Sequence, residues 1–133
     1  MCIRDRRKTE FTPGRHIVVH ALGCESGGAS YAVLYADFGS AGELAQALAQ
    51  WKQASLAGGH AAVEGEQPFV PAGALGLPQS VRVRARSQRP DGSALQMQAA
   101  YFARGTHAYQ AMVFAPAMKA EIADPFFAGL RFP

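Results

Sequence analysis

Apolar and polar residues alternate strictly along QSVRVRARSQ, residues 79–88, with Val81, Val83 and Ala85 set against Arg82, Arg84 and Arg86. A period of two predicts a strand with one buried face and one polar face. Pro90-Asp91-Gly92 follows, a three-residue hairpin loop with glycine where a left-handed backbone is needed. That loop sets a register in which Arg89 faces Ser93, Arg86 faces Gln96, Arg84 faces Gln98 and Arg82 faces Ala100. A loop one residue longer or shorter would oppose Arg86 to Leu95, so the match of polarity favours three residues. Gly105-Thr106 predicts the next turn, glycine first as a type II′ hairpin requires. It opposes Phe102 to Tyr109, Ala100 to Ala111 and Met97 to Phe114, on a strand over 107–115 that ends at Pro116.

Earlier in the chain, RHIVVHALG (15–23) reads as a strand by its β-branched centre, CESGGA as a turn, and SYAVLYADF (30–38) as the returning strand. Both of that strand's faces are apolar, Tyr31, Val33 and Tyr35 on one and Ala32, Leu34 and Ala36 on the other, which predicts cover on both sides. Ser40-Ala41-Gly42-Glu43 has the form of a capping box. A helix over about 41–57 follows, with Leu44, Leu48, Trp51 and Ser55 as its buried stripe. Gly58-Gly59 is expected to end it in a left-handed stop. Residues 60–78 are rich in Pro and Gly and predict one short strand at most, then a long loop. After Pro116 comes a last helix with Met118 and Ile122 on one face. Asp124-Pro125 can restart it as N-cap and first residue, with Phe126, Phe127 and Leu130 packing inward.

Two strands, a helix, a loop, three strands and a helix, joined largely by hairpins, predict an α+β domain. The expected form is a largely antiparallel sheet with helices packed on its faces, an α/β/α sandwich. Apolar residues make up 49% of the chain, enough for a real core. No apolar run approaches the ~18–20 residues that would span a bilayer.

The first six residues change the picture. One choice of codons for Met1-Cys2-Ile3-Arg4-Asp5-Arg6 reads ATG TGT ATA AGA GAC AG and a purine, the end sequence that transposon-based DNA library preparation attaches to fragments. We therefore expect 1–6 to be a non-native scar and 7–133 a single domain, truncated at its N-terminus and carried on a sequencing fragment, as metagenomic fragments are. Any export signal, anchor or first strand would then lie outside the chain. Without Arg4, Asp5 and Arg6 the 13 basic and 10 acidic residues become 11 and 9, and the net charge of +3 becomes +2. Such a balance does not by itself imply a nucleic-acid partner. Cys24 is left without a partner, so neither an internal disulfide nor a cysteine metal site is expected.

YAVLYADF with its following helix, and GTHAYQAMVFAP with a helix ending PFFAGLRF, together resemble bacterial proteins of the PsbP-like fold. That fold is shared by the photosystem II extrinsic subunit and the Ran-binding import factor Mog. Gly105, Tyr109 and Val113 match a strand of the form G-x-x-Y-x-x-x-V, and Phe126, Phe127 and Leu130 match a last helix ending F-F-x-x-L. The likeness covers roughly residues 15–132 in layout and rests on packing positions. It implies a bacterial, exported, periplasmic or envelope-associated protein that acts as a non-catalytic accessory or partner-binding domain, and it carries over no catalytic residue.

The candidate chemistry fits that implication. Cys24-Glu25-Ser26-Gly27-Gly28 echoes a serine-protease nucleophile loop, but Glu stands in place of Asp and no His carries a second signature, so a Gly-rich turn explains it. His16 and His20 share a strand face, where four residues span ~13 Å, too far for one metal ion. His60 and His107 have no neighbouring ligand, and Glu64-Gly65-Glu66 has no opposing acid. No cofactor, metal or catalytic set is called for. The best surface feature is the stripe of Arg82, Arg84 and Arg86, which with Arg89 and Arg104 could face an anionic partner.

The function expected is therefore partner binding. One alternative is a small-ligand-binding or enzymatic cone-type domain with 60–78 as a lid. Another is an anion-binding module built on the arginine stripe. The partner expected is a protein or another anionic species. A membrane surface is a candidate, and nucleic acid is disfavoured because no RNP-type motif accompanies the arginines.

Overall fold

The computed structural model describes residues 2–132. The strands are β1 (Cys2–Thr12), β2 (Arg15–Ser26), β3 (Ala29–Asp37), β4 (Ala62–Pro68), β5 (Val81–Gln88), β6 (Ala94–Arg104) and β7 (His107–Ala115), and the helices are α1 (Leu44–Gly58) and α2 (Ala120–Ala128). The seven strands form one sheet, in the order β1-β2-β3-β7-β6-β5-β4, and every neighbouring pair is antiparallel. The protein is thus an α+β domain with a mostly antiparallel sheet, as its hairpin chemistry predicts.

The registers follow from the turns. Arg82, Arg84 and Arg86 oppose Ala100, Gln98 and Gln96, and the Arg89 amide donates to the Ser93 carbonyl at 3.0 Å. Gly92 has φ 86° in the loop. Across β6 and β7, Phe102 opposes Tyr109, Ala100 opposes Ala111 and Met97 opposes Phe114.

Strand alternation sends side chains to two separate cores. Met97, Ala99, Tyr101 and Ala103 of β6 join Val81, Val83 and Ala85 of β5 and Leu44, Ala47 and Leu48 of α1. Ala100 and Phe102 point the other way, to Ala111 and Val113 of β7 and Ala123 and Phe127 of α2. In β3, Leu34 packs on the α1 cluster while Tyr31 and Val33 pack on the α2 cluster, the two-sided cover its composition predicts.

The N-terminus departs from expectation. Residues 2–12 form the edge strand β1, paired along the length of β2, so the segment set aside as outside the fold contributes a strand. Pro13-Gly14 makes the connection, with Gly14 at φ 79°, as the third residue of a type II turn requires. That Pro-Gly signal was present in the sequence and went unused. Only the far end of β1 is buried: Phe11 packs edge-on against Phe38 at 4.9 Å, while Cys2–Glu10 are exposed. Cys24 is not a lone thiol, because it is disulfide-bonded to Cys2, its direct cross-strand neighbour.

The helix ends also differ. Ser40 makes no capping bond. Residues 41–43 form a 3-10 turn and α1 starts at Leu44. Glu43, expected to reach back to Ser40, instead accepts from Arg15 of β2 at 3.1 Å, a charged partner that outcompetes the amide. At the other end Gly59 has φ −93°, and the left-handed residue is His60 at φ 49°. The last helix does not restart at Asp124-Pro125. It runs unbroken from an N-cap at Lys119, with Pro125 inside it.

Residues 60–78 hold one short strand, β4, an edge strand with a bulge between Val63 and Gly65. The rest of that stretch is tied down. The Leu75 amide donates to Ala103 at 2.8 Å, and the Phe132 amide donates to Ala72 at 3.0 Å. Gly73, at φ 89°, lets Phe132 approach so closely that a Cβ there would lie 2.9 Å from it.

Candidate functional site

The polar face of β5 lies on the α2 side of the sheet, where the helix leaves strands β4 to β6 uncovered at its N-terminal end. The result is an open cleft of about 490 Å³ between Glu64–Gln67 of β4, Arg82 and Arg84 of β5, Gln96 and Gln98 of β6, and Met118, Lys119, Ala120 and Asp124 at the start of α2.

Arg82 is the structural member of this group. Its guanidinium donates to Gln98 Oε1 from Nε at 2.9 Å and from Nη2 at 2.6 Å. It also donates to Asp124 Oδ1 at 3.0 Å and sits 4.3 Å over the Phe127 ring. Its side chain is only 15% exposed, so it joins sheet to helix rather than waiting for a ligand. Gln98 lies directly opposite Arg84, yet it is the diagonal neighbour Arg82 that takes its oxygen, a reach that long side chains make in antiparallel pairs.

Arg84 is different. Its guanidinium lies against the backbone of Gly65 in β4, and a Cβ on that glycine would fall 2.5 Å from Nη2. Among the described residues Arg84 has no carboxylate partner and makes no side-chain hydrogen bond. Arg86 is paired with Glu64 at 3.0 Å, at the rim. Lys119, at the N-cap of α2, also lines the cleft and has no acidic partner among the described residues.

The five arginines read from the sequence therefore do not form one ridge. Arg82 and Arg84 share the cleft. Arg86 is neutralised at its edge, and Arg89 belongs to the β5–β6 hairpin. Arg104 stands at the opposite end of the sheet, 5.0 Å over the Phe132 ring. Sequence reading missed Lys119, which carries no local signal. It did place Gln96 and Gln98 opposite Arg86 and Arg84 but gave them no role.

The other sequence candidates have structural places. Gly27 and Gly28, both at positive φ, make the two-residue turn between β2 and β3, where Ser26 opposes Ala29, so Ser26 is hairpin material. His16 lies 3.8 Å from Glu10, and His20 stacks on Tyr35 at 4.9 Å. His107 lies 3.9 Å from Asp37, whose carboxyl is held below the usual carboxylate range mainly by the Thr106 hydroxyl. Among the described residues no three His, Cys, Asp or Glu side chains gather as a metal site would need. Glu64 and Glu66 diverge at the bulge, one to Arg86 and the other to Lys52 of α1.

A row of rings crosses the same face of the sheet: His20, Tyr35, Tyr109 and Phe102, each directly opposite the next. His20 and Tyr35 are 11° from parallel, and Phe102 and Tyr109 are 16° from parallel at 5.4 Å. Their faces are turned to one another and Phe102 is buried beneath Phe69 and Phe132, so the row is not a platform on which bases could stack. Burial pushes the Tyr109 hydroxyl above its ordinary phenol range.

No family model and no curated protein sequence matches the chain. A solved structure shares its fold: PA94 from Pseudomonas aeruginosa, a protein of unknown function described as a candidate regulator. The two superpose with a TM-score of 0.53 over 96% of this chain and 97% of that one, at 10% sequence identity. An identity so low speaks for the fold alone, and among the described residues no helix is long and apolar enough to cross a membrane.

Proposed function

We propose that the chain is a non-catalytic binding domain that holds an acidic segment of a protein partner in the cleft between β4–β6 and α2. One observation carries this reading. The Glu64 and Asp124 carboxylates are already bonded to Arg86 and Arg82, and the Glu66 carboxylate turns to Lys52 on the α1 face, which leaves Arg84 and Lys119 uncompensated. Two unpaired cations in a concave, amide-lined cleft suit an acidic chain that can enter it. A membrane surface or a duplex would instead need protruding, unneutralised cations in a row, and Arg82 and Arg86 are already paired.

The test is binding at low salt to polyglutamate, to duplex DNA and to anionic vesicles, with Arg84→Glu/Lys119→Glu as the control. Polyglutamate is expected to bind and the reversed variant to lose it. Tighter binding to DNA or vesicles, no binding to polyglutamate, or binding indifferent to the reversal would overturn the reading.

With this reading goes the view that the sheet and its two helices form an α/β/α sandwich of the PsbP-like kind, in an exported or envelope-associated bacterial protein. It is supported by the helix residues in both cores, by Tyr109 and Val113 on β7, and by Phe126, Phe127 and Leu130 at the end of the chain. Fractionation of cells expressing the intact gene tests the location, and a cytosolic product would refute it. We also hold residues 1–6 to be a non-native scar, on their codon match alone.

A further inference from the structure

The cleft has more hydrogen-bond donors than acceptors. Gln98 Oε1 is used twice by Arg82, and Gln96 Oε1 accepts the backbone amide of Met118. Those bonds orient both amides, because an oxygen must face each donor. Both NH2 groups are left without a partner among the described residues, in side chains that are half-buried and line the cleft. Arg84 and Lys119 add a guanidinium and an ammonium, donors only. Four donor groups around one cleft, two on half-buried glutamines and two on exposed cations, match a ligand rich in acceptors.

The charge of that ligand is limited. Glu64 and Asp124 stand around the same cleft, and although each is paired they repel a second negative charge placed at the same point, as on phosphate. A planar monoanion meets these conditions. Its two oxygens match the paired N–H groups of a guanidinium, leaving lone pairs for the glutamine amides and the lysine. We infer that the cleft is a carboxylate-recognition site, in which Arg84 takes the carboxylate side-on, Gln96 and Gln98 donate from β6, and Lys119 closes from α2. This rests on the acidic-segment reading and names the group recognised. Gly65 is part of the site because its missing side chain gives the Arg84 guanidinium its resting place.

The experiment is an NMR titration of the whole chain with three probes: sodium acetate, a capped triglutamate peptide and inorganic phosphate. The side-chain signals of Arg84, Gln96 and Gln98 are followed. Acetate and the peptide are expected to move the same signals saturably, the peptide more tightly, and phosphate to bind more weakly than either. Acetate alone, with no response to the peptide, would make the source a free carboxylic acid and leave the carboxylate assignment intact. Gln98→Glu and Gln96→Glu are the decisive variants. Each keeps an oxygen for Arg82 or Met118 but replaces a donor with an acceptor. Carboxylate affinity should fall about tenfold or more in each, the loss of a charge-assisted bond, with cooperative thermal unfolding retained. Undiminished binding in both, or phosphate preferred over carboxylate, would overturn the inference. If polyglutamate still binds through Arg84 and Lys119 while acetate moves nothing and the glutamine variants are silent, the carboxylate site fails and the acidic-segment reading stands.

Discussion

Arg82 should matter more to stability than any other surface-facing cation, and its partners should be unequal. Arg82→Ala removes three contacts at once. A guanidinium over a ring in a largely desolvated place is worth up to about 2 kcal/mol, and the Phe127 ring it covers is only 1% exposed. Its bonds to Gln98 are charge-assisted and contribute about 1.5–3 kcal/mol. The ion pair to Asp124 adds little, at most about 1 kcal/mol, because that carboxylate is 66% exposed. These terms overlap, so the expected loss for Arg82→Ala is about 2–4 kcal/mol. Arg82→Lys keeps a charge for Asp124 and the apolar stem but loses the planar fork, for about 1–2 kcal/mol. Asp124→Ala should cost about 1 kcal/mol or less. Urea unfolding of the variants, with slopes compared to confirm one transition, reads the order directly. If Asp124→Ala proves as costly as Arg82→Ala, the surface ion pair dominates and the account of Arg82 as a sheet-to-helix tie through Gln98 and Phe127 is wrong.

Two further outcomes can be checked. Burial raises the Tyr101 hydroxyl above its usual phenol range, the Ser55 hydroxyl 2.5 Å away pulling the other way. A raised value means that stability is fully present below pH about 10, the unfolded value, and is lost as pH rises from there through the folded one. Tyr101→Phe should cost about 1 kcal/mol at neutral pH and flatten that alkaline decline. An identical decline in the variant would refute the assignment. Deleting residues 1–6 should leave a folded chain, because Phe11 and its contacts remain, although the lost disulfide closes a sequence separation of 22 residues. On chain-entropy grounds the loss of that loop costs about 3.4 kcal/mol. A truncated chain without cooperative unfolding would show that Cys2–Arg6 are integral, against the scar reading.

The C-terminal half was legible because its turn chemistry is strong. Pro90-Asp91-Gly92 and Gly105-Thr106 set registers, and the alternation of Val81, Val83 and Ala85 against three arginines set the faces. The helix limits were less so, since Ser40 and Glu43 look like a cap until Arg15, 28 residues away, claims the carboxylate. No local pattern could place β3 beside β7, for that pairing is a tertiary choice among apolar strands. The cleft was half legible. Its arginines and glutamines faced each other in the predicted register, whereas Lys119 joins them only because α2 returns across the sheet.

The strand order β1-β2-β3-β7-β6-β5-β4 is two consecutive runs laid edge to edge. Every neighbouring pair is sequential except β3 with β7, which joins Asp37 to His107. Closing that span costs about 2–3 kcal/mol more chain entropy than closing a short hairpin. The halves can therefore assemble separately and early, and their zipping along Leu34 and Gln110 should set the folding rate. The same seam is where two chains at high concentration could trade halves, because a neighbour's β7 offers β3 an identical partner.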